Sequence, residues 1–270
     1  MIKRIALFRF HKLNYEDHIN RILFFKIINP SIPVYGLYGG DEMFFEEVAF
    51  KFKNICEEIT LLRELSKKEK WLCSDIVVQQ WYNKIGIYLN FDVLHVIEWD
   101  LVFMESLDRL YTHIPVSAIG CTGLKSVYMI EKSWYWTSAP IQRSEWLKLL
   151  TLVIKEYNYR NFPFAIQGPA ICYPKSFLEK IKDIQIPRIC NDELRIPLYA
   201  QILGFELVDN KFFKWFYNPN YIAFNCDKIP VKFDTIAKEV VKVNGYRVFH
   251  PYLDIFDLDL FVNIISAVPK

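Results

Sequence analysis

The chain has 270 residues, 52% hydrophobic and 17% aromatic, which is ample for a buried core and unlike a disordered segment. Its 33 basic and 31 acidic residues leave a net charge of +2, without the basic excess of a dedicated nucleic-acid binder. No run of about 18 apolar residues occurs, so no transmembrane segment is expected. The apolar stretch behind Lys3 and Arg4 is cut by Arg9 and is too short for a signal peptide.

Ile5–Phe10 reads as a first strand. A helix follows over 14–29, with Asn14 as its cap, Ile19, Ile22, Leu23 and Ile27 at helical spacing, and Pro30 beyond its end. Val34–Tyr38 is strand-like and stops at Gly39-Gly40-Asp41. The spacing predicts a helix over 42–56, with Phe45, Val48, Phe52 and Ile55 on one face, and then a short strand at Ile59–Leu62. Ser74 opens a helix whose inner face holds Val77, Trp81, Ile85 and Tyr88, and Val93–Ile97 is a strand, apolar but for His95. This alternation implies βαβ units and a mostly parallel α/β sheet with helices on both faces.

The second half is less regular. Val116–Gly120 is strand-like, Ser144 caps a helix to 157, and Phe164–Tyr173 is a strand broken at Gly168-Pro169. A short helix at 174–182 and a helix from Asp192 to Leu203, ending at Gly204, follow. Phe205–Val208 is a strand, 234–243 a helix, Tyr246–Phe249 a last strand before His250-Pro251, and the tail from Leu253 is amphipathic. With no repeat, low-complexity segment or linker, a single domain over 1–270 is expected. Cys56, Cys73, Cys121, Cys172, Cys190 and Cys226 form no CxxC pair and sit in or beside apolar runs. They read as reduced core residues in a cytoplasmic compartment.

In parallel sheets, ligands bind beyond the carboxyl ends of the strands. Three polar clusters fall at such ends: Arg9–His11, Gly39–Asp41 and Glu98–Asp100. Residues two apart on a strand point to one face, roughly 6.6 Å apart. Glu98 and Asp100 can therefore aim at one point, where they repel unless a cation lies between them, and an oxygen-rich site suits Mg²⁺ or Mn²⁺. The plainer alternative is a strand ending at Ile97 with both carboxylates solvated. Against it, apolar Leu101, Val102 and Phe103 resume at once, with none of the Gly, Pro, Asn or Ser of an ordinary turn. His95, inside the apolar strand, reads as a core histidine.

A buried strand ending in an acidic-x-acidic triplet, on an alternating α/β half, resembles the GT-A glycosyltransferases of the nucleotide-diphospho-sugar transferase superfamily. Their DxD motif holds a divalent cation that bridges the diphosphate of the donor. Here the motif stands as Glu98-Trp99-Asp100, with Glu in first place. "FAIQGPAICYPKSFLEKI" (164–181) resembles the acceptor-side strand and its following helix. "NDELRIPLYAQILGF" (191–205) resembles the acidic helix start that carries the base of inverting members, and "GYRVFHP" (245–251) a C-terminal histidine segment.

The resemblance implies a GT-A-like (Rossmann-like) fold, with 1–103 the nucleotide-sugar-binding half and 104–270 the acceptor side and metal-ligand segment. It implies a metal-dependent transfer from a nucleotide-sugar donor to a glycan or other hydroxyl acceptor, inverting if an acidic base serves the acceptor and retaining if none is needed. Mn²⁺ or Mg²⁺ would sit on Glu98, Asp100 and His250, with Phe10, His11, Asp41, Lys70, Asp75 and Trp99 on the donor side. Asp192, slightly preferred, and Glu193 are the candidates for the base.

Each has a plainer reading. His250 can be a packed or surface histidine. Asp192 and Glu193 can simply complement a helix dipole, Asp75 a first helical turn, Lys70 a solvated charge run and Gly39-Gly40 a tight turn. Trp134 and Trp136 can be core or an acceptor platform. Peripheral membrane association through an aromatic surface stays open. The alternatives in function are a sugar-phosphate nucleotidyltransferase, whose glycine-rich loop "FRFHKLNYED" (8–17) lacks, and a non-catalytic scaffold that retained the fold.

Overall fold

The computed structural model describes residues 2–11, 14–63, 65–213, 223–227 and 229–266. Nine strands are present among these residues: β1 Arg4–Phe10, β2 Val34–Tyr38, β3 Ile59–Leu61, β4 Val93–Glu98, β5 Val102–Phe103, β6 Ile119–Ser126, β7 Phe164–Pro174, β8 Leu207–Asp209 and β9 Val248–Phe249. Seven form one sheet in the order β3-β2-β1-β4-β7-β6-β8. β3, β2, β1 and β4 pair in parallel, β7 runs against both β4 and β6, and β8 is again parallel to β6. The expected α/β class with a mostly parallel central sheet is what the chain adopts.

Alternation along β1 builds both faces. Ile5 and Leu7 join a core with Val77, Trp81, Leu94, Val96 and Ile196. Ala6, Phe8 and Phe10 join another with Ile22, Phe25, Val48, Phe52, Val93 and Ile97. Helices Ser74–Lys84, Lys175–Ile181 and Asp192–Ile202 cover the first face, and Tyr15–Ile28 and Phe45–Phe52 the second. Period-two strands between amphipathic helices dictate this arrangement.

Several predicted boundaries move. The segment 42–56 is a 3₁₀ turn, Glu42–Phe44, and a shorter helix, Phe45–Phe52. Tyr88, expected inside, is 84% exposed because its helix ends at Lys84. An unpredicted helix, Lys67–Leu72, precedes it, closed by a capping box between Ser66 and Glu69. The strand expected at 116–120 lies instead at β6. The helix expected to start at Ser144 starts at Pro140, a residue suited to a first helical turn. β7 continues through Gly168-Pro169, its register against β6 shifting there. Ala170 takes a left-handed φ of 64° at this irregularity. Hydrogen bonds from Thr122 to the Pro169 carbonyl, and from Tyr111 and Asn210 to the Ala170 carbonyl, hold it there.

The last segment docks on the first helix. Phe24, Val102, Phe249, Tyr252, Phe256 and Phe261 form a third core. Asp17 accepts from the Phe256 backbone N–H at 2.6 Å, and Arg21 donates to the Asp254 carbonyl at 3.0 Å. β5 pairs antiparallel with β9, Val102 opposite Phe249. None of the cysteines is in a disulfide, and only Cys226 is not fully buried. Among the described residues, no helix is long and apolar enough to cross a membrane.

Candidate functional site at the carboxyl edge of the sheet

Register puts the three polar clusters on one edge. Phe10 lies opposite Tyr38, and Arg9 opposite Glu98. The acidic triplet does not lie on one strand, however. β4 ends at Glu98, and Trp99 and Asp100 form a turn. The two carboxylates therefore do not share the one strand face expected of them, and each takes its own first partner. Glu98 Oε1 accepts from Arg9 Nη1 at 2.8 Å, while Asp100 Oδ1 lies 3.5 Å from His250 Nε2.

The β5–β9 pair explains the second contact. β5 starts two residues after Asp100, β9 ends one residue before His250, and the Tyr252 N–H donates to the Asp100 carbonyl at 2.8 Å. His250 Nδ1 sits 2.7 Å from the Asn225 carbonyl, so that nitrogen carries a proton and Nε2 faces Asp100.

Burial works against charge on all three groups. It pushes Glu98 up, with Arg9 opposing and Asp100 adding to the push. For Asp100, burial is outweighed by His250, and the carboxyl is held below its usual range. For His250, burial is outweighed by Asp100 and the Asn225 carbonyl, and the imidazole is raised. Each group of the pair thus favours the charged form of the other.

A divalent ion suits Asp100 and His250. The Nδ1 bond to a carbonyl is the outer-shell support that presents Nε2 as a ligand. Mg²⁺ and Mn²⁺ commonly take one or two protein ligands and fill the rest with water and phosphate oxygens. Glu98, in contrast, already has its Oε1 on Arg9. No three His, Cys, Asp or Glu side chains among the described residues form a ready cage.

On the donor side, His11 is exposed at the end of β1, and its ring meets Trp99 at 6.0 Å. Trp99 is half-buried and also faces His18 and the Arg21 guanidinium. Lys70 Nζ donates to the Gly39 carbonyl at 3.2 Å. Burial lowers its pKa, with Asp41 and Glu42 opposing. Asp41 is exposed and caps the 3₁₀ turn through the Met43 N–H. Gly40 is required by a neighbour: a Cβ there would lie 2.2 Å from the Tyr38 hydroxyl.

Two donor-side expectations are corrected. The Phe10 side chain is 2% exposed and packs against Tyr38 and Phe52, so it is core. Asp75 is 7% exposed and held by Arg195 in a bidentate pair at 2.7 and 2.8 Å, out of reach of a ligand. Arg195 was not foreseen as a key residue. Its Nη1 also donates to the Ile189 and Cys190 carbonyls and its Nη2 to the Leu72 carbonyl. A lone arginine in the apolar run "LRIPLYA" was the available signal. His95 is a core histidine as read: it is 1% exposed, lies 3.0 Å from Arg4, and is pushed well below its ordinary pKa by burial and then by Arg4.

The preference between the two acids reverses. Asp192 is 5% exposed and accepts from the Ser74 N–H at 2.7 Å. Burial and then Asp75 push it up to about 6, against Arg195. It belongs to the Arg195 hub. Glu193 is the half-buried member of the pair. It accepts from the Gly168 N–H at 2.8 Å and from Trp136, and burial and then Asp192 push it up to about 8. The Cys226 thiol is raised chiefly by burial, and then by Glu193, Asp227 and Asp100. Trp136 is half-buried and lies 5.9 Å from the exposed Trp71 ring. Trp134 packs at the margin of a core formed by Trp146, Leu149 and Leu194.

No protein-family model and no curated protein matches the sequence. Among solved structures, the galactosyltransferase LgtC in complex with donor and acceptor sugar analogues is similar at 12% identity and a TM-score of 0.46. That likeness covers 98% of this chain and 96% of that one. An active-site mutant of LgtC is similar at 11% identity and a TM-score of 0.44, with the same coverage. Strand order and direction define the fold as α/β with a mostly parallel central sheet, and superpositions at these values add no activity to that.

Proposed function

We propose that this chain is a glycosyltransferase that moves a sugar from a nucleotide-diphosphate donor to a hydroxyl acceptor with inversion. The observation that carries the reading is the meeting of Asp100 and His250 at the carboxyl edge of the parallel strands. They lie 150 residues apart in sequence (100 to 250). A Mn²⁺ or Mg²⁺ ion held there would neutralise the leaving diphosphate as a Lewis acid.

The chain's own residues do the rest. Trp99 and His11 form an aromatic wall beside the ends of β1 and β4, and Lys70 and Asp41 flank the end of β2. Glu193, held by the Gly168 N–H, deprotonates the acceptor hydroxyl as general base. The Trp71–Trp136 pair beside it offers the acceptor an apolar face.

Thermal stability would be measured with UDP, GDP, CMP and their sugar conjugates, with and without Mn²⁺. One nucleotide class should stabilise the protein only when Mn²⁺ is present, by about 2.7 kcal/mol at a hundred times its Kd. Asp100→Asn and His250→Gln should abolish the effect. Turnover should release nucleoside diphosphate; release of pyrophosphate would mark a nucleotidyltransferase instead. Stabilisation by no nucleotide would overturn the reading in favour of a non-catalytic scaffold.

A further inference from the structure

The Arg9–Glu98 pair is left without a task by the proposed chemistry. Arg9 is near the end of β1, its backbone in register with Glu98 on β4. Its side chain is 13% exposed and that of Glu98 24%. The guanidinium donates Nη1 to Glu98 at 2.8 Å and Nη2 to the Lys70 carbonyl at 3.0 Å. A guanidinium has five N–H donors, and among the described residues no other acceptor takes the remaining ones. Lys70 doubles back so that its ammonium reaches the Gly39 carbonyl at the end of β2. Arg9 near the end of β1 and the Lys70 ammonium at the end of the neighbouring β2 thus put two cations on the edge where ligands bind such sheets. One of them is locked by a carboxylate and a carbonyl, with donors to spare. A fork fixed in this way is preorganised for phosphate oxygens.

We propose that Glu98 is a positioning residue and not a cation ligand. It fixes Arg9, and Arg9 with Lys70 forms a site for a phosphate or diphosphate group beside the Asp100–His250 pair. This deepens the transferase reading and rests on it only in identifying the anion as the donor's diphosphate. It also gives the departure in the triplet a reason: the longer Glu side chain reaches the arginine of the neighbouring strand.

Two titrations that use neither donor sugar nor acceptor test it. Inorganic pyrophosphate is titrated calorimetrically in EDTA, and Mn²⁺ is titrated by electron paramagnetic resonance without phosphate. Arg9→Gln and Lys70→Gln should each weaken pyrophosphate binding about tenfold, the loss of one charge-assisted contact. Glu98→Gln should leave Mn²⁺ affinity within about threefold, whereas Asp100→Asn or His250→Gln should lower it tenfold or more. Should Arg9→Gln not fold, Arg9→Lys keeps the charge, loses the fork and should fall in the same direction. Pyrophosphate that fails to bind the wild type, or binds Arg9→Gln equally well, overturns the anion site. Mn²⁺ affinity that collapses in Glu98→Gln as it does in Asp100→Asn overturns the role given to Glu98. If the nucleotide panel is silent while pyrophosphate binds through Arg9, the transferase reading falls and the anion site stands.

Discussion

At the scale of single residues, Glu193 links stability to activity. Its carboxyl is raised from 4.5 to about 8 by burial and by Asp192. The folded chain therefore holds this proton more tightly than the unfolded chain. The stability it contributes is full below about pH 4.5 and is lost as pH rises through about 8. Glu193→Gln should thus raise Tm by about 3 °C or more at pH 9, with little gain at pH 5, in paired melting curves. As a base it must be ionised, so turnover should climb toward an inflection near pH 8, and the same variant should lose about 10²–10⁴ in kcat. Gly40 makes a separate test. Gly40→Ala pushes a methyl group into the buried Tyr38 ring and should cost about 1–3 kcal/mol in chemical denaturation. The sequence could show that Asp192 and Glu193 open a helix. It could not show which one faces the Ser74 N–H and which the Gly168 N–H, because that depends on how the helix rotates against β7.

At the scale of elements, the Arg195 hub ties helix Asp192–Ile202 to helix Ser74–Lys84 and to the Ile189–Cys190 carbonyls. Arg195→Met would leave Asp75 and Asp192 buried without their cation, which should cost about 3–5 kcal/mol. Denaturant titration measures that loss. Asp75→Asn combined with Arg195→Met should recover part of it, because the uncompensated charge is reduced. Strands β1 to β4 and the first helix were legible because hydrophobic period and caps agree there, Asn14 included. Helix Lys67–Leu72 was legible in principle from Ser66 and Glu69, but its charged composition resembles a solvated run. β6 was misplaced because Gly120, Thr122 and Gly123 interrupt the apolar pattern that the strand needs in order to be seen, and its bulges answer those in β7.

At the scale of the whole molecule, the site depends on docking the C-terminal segment. Phe256 stacks on Phe261 with ring centroids 4.0 Å apart and packs on Phe24. Phe256→Ala, which touches no candidate ligand, should cost about 3–5 kcal/mol. It should also weaken Mn²⁺ binding, because His250 is carried by the same segment. Hydrogen exchange should show residues 245–266 opening ahead of β1 and β4. The parallel half of the sheet and its polar edge could be read from alternation alone. The antiparallel insertion of β7 and the reach of His250 to Asp100 could not, because long-range pairing leaves no local periodic trace.

That reach has a consequence in time. The acidic turn is complete once residue 100 has been made, but its histidine is 150 residues further along (100 to 250). At ordinary rates of synthesis the ribosome needs on the order of ten seconds to supply it. The sheet can begin to assemble in that interval, but Asp100 has no histidine to meet, so any ion site on that pair is a late event in the life of each new chain.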